Sequence, residues 1–93
     1  MNVPDRIRQR LASLEPQTLE LYDESHEHVG HAGARGGGGH FQVLIVSRQF
    51  TGKSALARHR MVYASVADMM KRDIHALAIK AYTPEELQRL FPH

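Results

Sequence analysis

The sequence predicts a small α+β protein in which helices pack on one face of a three-stranded mixed sheet, in the order αββααβα. Apolar residues recur at helical spacing near both ends of the chain. Three internal segments, 18–25, 40–47 and 74–82, have the alternation or the β-branched content of strands, and a long helical region separates the last two. The 93 residues suit one small domain, 1–93, with a modest core.

The first helix is predicted from an apolar stripe at positions i, i+4, i+8 and i+11, formed by Val3, Ile7, Leu11 and Leu14. Proline is favoured in the first turn of a helix and ends a helix that reaches it, so Pro4 and Pro16 suit its two ends. The next segment alternates, with Leu19 and Leu21 on one face, as a half-buried strand does.

The second predicted strand is nearly all apolar from Phe41 to Val46, which indicates burial on at least one face. We expect it to be central and to pair with the first strand as a hairpin. The connecting loop, 29–39, is rich in glycine. Four histidines lie in or beside this loop: His26, His28, His31 and His40.

Two helices are predicted between the second and third strands, with a bend near Ala64. Gly52 and Ser54 mark the start of the first helix. Ser65, followed three residues later by Asp68, forms a weak capping box that indicates the start of the second helix.

Helical spacing also predicts which residues of the first middle helix face the core. Leu56 and Tyr63 are expected to point inward, which leaves Arg58 mostly exposed. His59 lies near the apolar side with Ala55 and Val62, and this position favours a structural role.

The third strand and the last helix have clear local signals. In the strand, alternation places His75, Leu77 and Ile79 on one face. The last helix begins with a capping box and a proline at its first position, formed by Thr83, Pro84 and Glu86.

The composition excludes several kinds of protein. The chain contains no cysteine, so it cannot build a disulfide framework or a thiolate site by itself. No segment approaches the roughly 18–20 apolar residues of a membrane span, and we expect a cytoplasmic protein without membrane contact. The net charge of +2 is small. A basic stretch could nevertheless meet phosphates or an acidic protein: Arg48, Lys53, Arg58, Arg60, Lys71 and Arg72.

The sequence predicts no catalytic residues. The segment 52–54, Gly-Lys-Ser, follows an apolar strand as in a P-loop, but Ser47 stands where the motif requires an earlier glycine. The consecutive residues Asp23, Glu24, Ser25 and His26 have the groups of a catalytic triad, yet neighbours in a strand point to opposite faces. We therefore expect a protein that is not an enzyme.

The histidines are candidate metal ligands because imidazole binds both zinc and iron. A stand-alone zinc site from the loop histidines is a minor alternative, since such sites are uncommon. The position of His75 beside Leu77 and Ile79, taken alone, favours a histidine that is satisfied within the core.

Three segments resemble the BolA family along nearly the whole chain: LELYDES, HFQVLIVSRQFTGKSALARHRMVY and IHALAIKAYTPEEL. The motifs F-x-G, R-H-R-x-[VI]-Y and [VI]-H-A-L-A are specific in this order and spacing. The resemblance implies a fold like the class II KH domain. The bend YASVAD contains no glycine, however, which argues against the G-x-x-G grip of RNA-binding KH domains.

The resemblance also implies a partner and a cofactor. Members of the family pair with monothiol glutaredoxins and share a 2Fe-2S cluster with glutaredoxin and glutathione, in iron–sulfur trafficking or iron sensing. The ligand positions carry over to His75 and His28, with His26 and His31 as alternatives in a loop whose glycine tract is unusually long. The isolated chain is expected to bind no cluster and to be a monomer or a weak homodimer.

A second function stays open. Bacterial members of the family are associated with transcription regulation by DNA binding, in stress response and cell morphology. In this chain the two predicted middle helices would form a basic helix-turn-helix that carries the basic stretch.

Overall fold

The structure, a computed structural model, describes residues 2–24 and 39–92. The helices and strands in these ranges are, in chain order, α1 (Val3–Leu11), β1 (Thr18–Asp23), β2 (Gly39–Val46), α2 (Ala55–Ser65), β3 (Ile74–Tyr82) and α3 (Pro84–Leu90). Short 3-10 turns occupy Ala12–Leu14, Arg48–Phe50 and Ala67–Met69. The predicted glycine-rich loop, 29–39, lies outside the described residues except for Gly39.

The three strands form one sheet in the order β1-β2-β3. The central strand β2 runs antiparallel to β1, with Thr18 opposite Val46 and Asp23 opposite Phe41. It runs parallel to β3. These pairings confirm the predicted α+β class with a three-stranded mixed sheet.

The core lies on one face of the sheet. Because successive strand residues point to opposite faces, the buried Phe41, Val43 and Ile45 of β2 share that face. The helices and turns supply the other side of the core: Ile7, Leu11, Leu14, Phe50, Val62, Val66 and Met69. The apolar stripe predicted for the first helix is therefore confirmed. Each large buried side chain contributes about 1.5–3 kcal/mol relative to exposure.

Two predicted helix starts are confirmed by their hydrogen bonds. The Ser54 hydroxyl accepts from the backbone N–H of Ala57 at 3.1 Å and begins α2. At α3 the Thr83 hydroxyl accepts from the Glu86 N–H at 3.2 Å, while the Glu86 carboxylate accepts from the Thr83 N–H at 2.8 Å. Such a cap stabilises a helix by about 1 kcal/mol.

The second middle helix was predicted wrongly, because only the 3-10 turn Ala67–Met69 forms there. The hydroxyl of Ser65 donates to the carbonyl of Met61, inside α2, so it does not cap a new helix. Val66, at φ −119°, leaves the helical region and is buried in the core together with Met69. Because Val66, Met69 and the first residue of β3, Ile74, are all buried in the core, the segment between α2 and β3 is too short for another helix.

The orientation of α2 also differs from the prediction. Leu56 is 59% exposed and Tyr63 is 36% exposed, whereas the Arg58 side chain is only 12% exposed. His59, which was expected near the apolar side, is exposed. Val62 is the residue of α2 that is buried in the core. Arg58 is also turned inward, because it forms an ion pair with Glu86 of α3.

None of the helices within residues 2–24 and 39–92 combines the length and the apolar character that crossing a bilayer requires.

Candidate metal-binding site at the start of the third strand

A β-bulge at the start of β3 determines where His75 lies. Gly39 is opposite Ile74 but the next residue, His40, is opposite Ala76, so His75 is an extra residue on β3. The bulge lets Ile74 enter the core at 1% exposure, and His75 is exposed. A bulge commonly re-aims a side chain next to a functional site.

The predicted face of β3 is therefore right for Leu77 and Ile79 and wrong for His75. Leu77 is buried and Ile79 packs against the core, while His75 has left that face. The alternative of a satisfied core histidine is excluded by this exposure. A pattern of strict alternation could not reveal the bulge, because the extra residue depends on pairing with β2.

His75 lies beside a second histidine. The ring centroids of His40 and His75 are 4.9 Å apart, and the ring planes are inclined by 38°. His75 makes no hydrogen bond or ion pair with any other described residue. Within residues 2–24 and 39–92, its ring nitrogens are therefore left without a hydrogen-bond partner.

The two histidines open onto a shallow cleft of about 440 Å³. Its other walls come from the ends of β1 and β2, from the edge of β3, and from α2 and the turn that follows it: Glu24, Phe41, Tyr63, Met70, Ala76, Leu77 and Ala78. The hydroxyl of Tyr63 donates to the carbonyl of Leu77 at 3.0 Å, which fixes α2 against the free edge of β3.

The donors at this site fit iron through imidazole and leave the site incomplete. Histidine can replace cysteine at one iron of a 2Fe-2S centre. The described residues contain no group of three or more histidine, aspartate or glutamate side chains placed to hold a metal ion. This chain could therefore supply imidazoles to a metal but no thiolate, since it contains no cysteine.

The other predicted loop ligands, His26, His28 and His31, lie outside the described residues. Sequence reasoning missed His40 as a neighbour of His75, although it had noted His40 beside the glycine tract. The signal was present, since His40 begins a strand that was predicted to be central and thus to pair with β3.

The predicted basic surface is dispersed. Arg58 is removed from it by its ion pair with Glu86. Of the other predicted members, Lys53 lines a second cleft of about 570 Å³, and Arg72 lies at the turn before β3 near α1. The second cleft also contains Lys80 and Arg89, which the sequence analysis did not select. The sequence did not indicate that these two residues belong together, because they come close only when α3 packs beside β3.

Most residues of the conspicuous motifs have roles in the fold. Phe50 is fully buried, and Gly52 has φ 76°, a backbone conformation that favours glycine. Arg58 binds Glu86, and Tyr63 binds the edge of β3. His75 is among the motif residues that these contacts leave unexplained.

Comparison with known proteins agrees with this geometry. A family model described as BolA-like protein matches residues 11–86. The chain is 41% identical over 91 residues to the DNA-binding transcriptional regulator BolA of Escherichia coli (strain K12), covering 97% of this chain and 84% of that protein.

A second relative is the SufE-like protein 1, chloroplastic/mitochondrial, of Arabidopsis thaliana, which is 46% identical over 88 residues. That match covers 88% of this chain and 24% of the relative, so this chain spans about a quarter of it. The solved structure of BolA1 from Arabidopsis thaliana superposes with a TM-score of 0.80 at 40% identity, over 92% of this chain and 96% of that one. With its motifs, its fold and most of its length matched, the chain belongs to the BolA-like protein family.

Proposed function

We propose that this protein pairs with a monothiol glutaredoxin and contributes imidazole ligands to a shared 2Fe-2S cluster, without being an enzyme itself. The observation that carries the proposal is the position of His75. The bulge turns this histidine out of the core into an open cleft, where its ring contacts only His40 among the described residues. A ring held in this way is suited to a ligand from another molecule.

The composition of the chain supports a partner as the source of the remaining ligands. Because the chain has no cysteine, thiolates at the cluster would come from the glutaredoxin and from glutathione. The exposure of His75 at this cleft supports a contact with a second protein. The proposed role is iron–sulfur trafficking or iron sensing in the cytoplasm.

The experiment is a titration of this protein into a cluster-loaded monothiol glutaredoxin, followed by visible absorption and circular dichroism. A saturating spectral change at equal stoichiometry is expected, and His75→Ala should abolish it. His75 is exposed, so the variant should unfold with a free energy within about 0.5 kcal/mol of the wild type.

A matched control is His59→Ala, which removes an exposed histidine of α2 that lies outside this cleft. It should leave the titration unchanged. A wild-type spectrum in the His75→Ala complex would contradict the ligand role. No spectral change with the unmodified protein would contradict the partnership.

DNA binding is the second candidate function, supported by the similarity to the DNA-binding transcriptional regulator BolA of Escherichia coli. A helix-turn-helix is a poor basis for it, because α2 is followed by a single 3-10 turn. The cleft with Lys53, Lys80 and Arg89 offers a better surface for phosphates, since no carboxylate among the described residues pairs with these three cations.

A further inference from the structure

The face of the sheet opposite the core is partly open to solvent. Strand alternation and pairing place six residues on this outer face: Glu20, Tyr22, Gln42, Leu44, Ala78 and Lys80. A cleft of about 560 Å³ crosses all three strands here. Two large apolar side chains at this cleft are exposed, Tyr22 by 50% and Phe91 by 56%. An exposed apolar cluster with a polar border is typical of an interaction surface.

One row of residues across the outer face runs from an acid to a base. Glu20 of β1 is opposite Leu44 of β2, and Leu44 is opposite Lys80 of β3. Because neighbouring strands are about 4.8 Å apart, the Cα atoms of Glu20 and Lys80 are separated by roughly 10 Å. Neither side chain forms an ion pair within residues 2–24 and 39–92. The Tyr22 hydroxyl donates to Glu20 Oε2 at 2.9 Å, which holds the carboxylate on this face.

The neighbouring row runs from a large side chain to a small one. Tyr22 of β1 is opposite Gln42, which is opposite Ala78 of β3. In both rows, therefore, the residue on β1 complements the residue on β3, by charge in one row and by size in the other. The outer face is complementary to itself when β1 and β3 exchange places.

We propose that the outer face binds a second copy of this chain in a twofold dimer, with the axis parallel to β2 and above Leu44. A half-turn about this axis places β1 of one copy over β3 of the other. Glu20 then faces Lys80 of the second copy, and Tyr22 packs over Ala78 of the second copy. Each contact occurs twice, since a twofold interface uses the same surface of both copies. Sheets that pack face to face are about 10 Å apart, a distance that these side chains can span.

The charges select this arrangement over the other twofold packing of the same face. An axis at right angles to the strands would place β1 over β1 and β3 over β3. Acids would then lie over acids and bases over bases, and like charges facing each other across an interface are unfavourable.

The charges also disfavour a nucleic acid at the outer face. Aromatic side chains such as Tyr22 and Phe91 can stack with bases. Two carboxylates, of Glu20 and Glu24, line the same cleft, and they repel phosphates. A second copy of the chain meets both carboxylates and lysines with opposite charge or with small side chains.

The experiment is sedimentation equilibrium of the isolated chain over a series of concentrations. The wild type should show a monomer–dimer equilibrium that higher salt weakens. Glu20→Lys and Lys80→Glu should each weaken dimerisation about tenfold, because two ion pairs become two like-charge contacts. The double variant with both substitutions should regain most of the lost affinity, since the exchanged charges still face each other.

Two control variants change the net charge by the same amount at exposed positions outside this cleft. Arg48→Glu matches Lys80→Glu, and Glu85→Lys matches Glu20→Lys. Both should leave dimerisation unchanged. Far-ultraviolet circular dichroism verifies that each variant is folded.

Cross-linking locates the axis independently of charge. Because the chain contains no cysteine, Leu44→Cys introduces a single thiol. The two copies of this thiol lie on either side of the axis, so a short bis-maleimide should link them into a covalent dimer. Arg48→Cys, at an exposed position outside the cleft, should stay monomeric under the same conditions.

A wild-type chain that stays monomeric at every concentration would overturn the proposal. A dimer that both single variants leave intact would place the interface elsewhere, and a double variant as weak as the single ones would contradict the pairing of Glu20 with Lys80. Binding of a single-stranded oligonucleotide by a monomeric wild type, lost in Tyr22→Ala, would make the outer face a stacking surface instead.

Discussion

Arg58 Nη1 lies 2.6 Å from Glu86 Oε1, and this ion pair fastens α3 to α2. The same guanidinium donates to Glu86 Oε2 at 3.2 Å and to the carbonyl of Ala81 at 3.1 Å. It also lies 6.0 Å from the centre of the Phe50 ring. Arg58 thus binds α3, the end of β3 and the core at once, and its conspicuous place in the motif has a structural explanation.

Replacing Glu86 by glutamine should make stability less dependent on pH in the acid range. Hydrogen bonds from Arg58 and from the Thr83 N–H lower the pKa of Glu86 from 4.5 to about 2. A carboxylate with a lowered pKa stabilises the fold above its unfolded pKa, and that stabilisation is lost as the pH falls from 4.5 toward 2. Glutamine keeps the capping box but removes the charge.

We expect Glu86→Gln to lower the free energy of unfolding by about 1 kcal/mol at pH 7, measured by urea denaturation. The difference from the wild type should shrink as the pH falls from 4.5 toward 2, because the carboxylate of the unfolded chain takes up a proton in this range while the folded one stays ionised until about pH 2. The control Glu85→Gln changes the neighbouring exposed acid of α3. A constant difference down to pH 2 would show that charge is not the cause.

Tyr63→Phe should destabilise the protein because it removes the hydroxyl that satisfies the edge of β3. That hydroxyl donates to the Leu77 carbonyl at 3.0 Å. The lost hydrogen bond should lower the free energy of unfolding by about 1 kcal/mol. Tyr22→Phe is the matched control, because Tyr22 is 50% exposed and its hydroxyl donates to the exposed Glu20. Equal effects of the two substitutions would contradict a specific role for Tyr63.

Gly52→Ala should lower stability through the backbone alone. Gly52 has φ 76°, and a β carbon added there would meet no atom within 4 Å. The left-handed conformation should therefore destabilise the alanine variant by about 1 kcal/mol. Thermal unfolding can be compared with that of Thr51→Ala, an exposed neighbour that should change stability by less than about 0.5 kcal/mol. A Gly52→Ala variant as stable as the wild type would show that the turn adapts.

The features predicted correctly are those that local sequence encodes. Alternation and β-branched content identified the three strands, and the capping box at Thr83 identified α3, because both signals lie within a few residues. The apolar stripe of α1 is equally local, and Ile7 and Leu11 are buried as expected.

The errors arose where distant residues decide the structure. Arg58 was expected in solvent, but Glu86 of α3 draws it inward. His75 was expected beside Leu77, but pairing with β2 introduces a bulge before the regular part of β3. The candidate site is formed by that same bulge, so neither the neighbour of His75 nor its exposure could be predicted from periodicity.

If DNA binding is a function of this protein, Lys80→Ala and Arg89→Ala should weaken it by a similar factor for unrelated DNA sequences. Both residues line the basic cleft at the end of β3, and contacts with phosphates carry no sequence information. Each lost phosphate contact should reduce the slope of log affinity against log salt by about 0.9.

Arg48→Ala, at an exposed cation outside the cleft, is the control. Fluorescence anisotropy over a salt series measures both quantities. An equal loss in the Arg48 variant would indicate attraction to the basic surface as a whole, whereas unchanged affinity in the two cleft variants would exclude the cleft as the DNA surface.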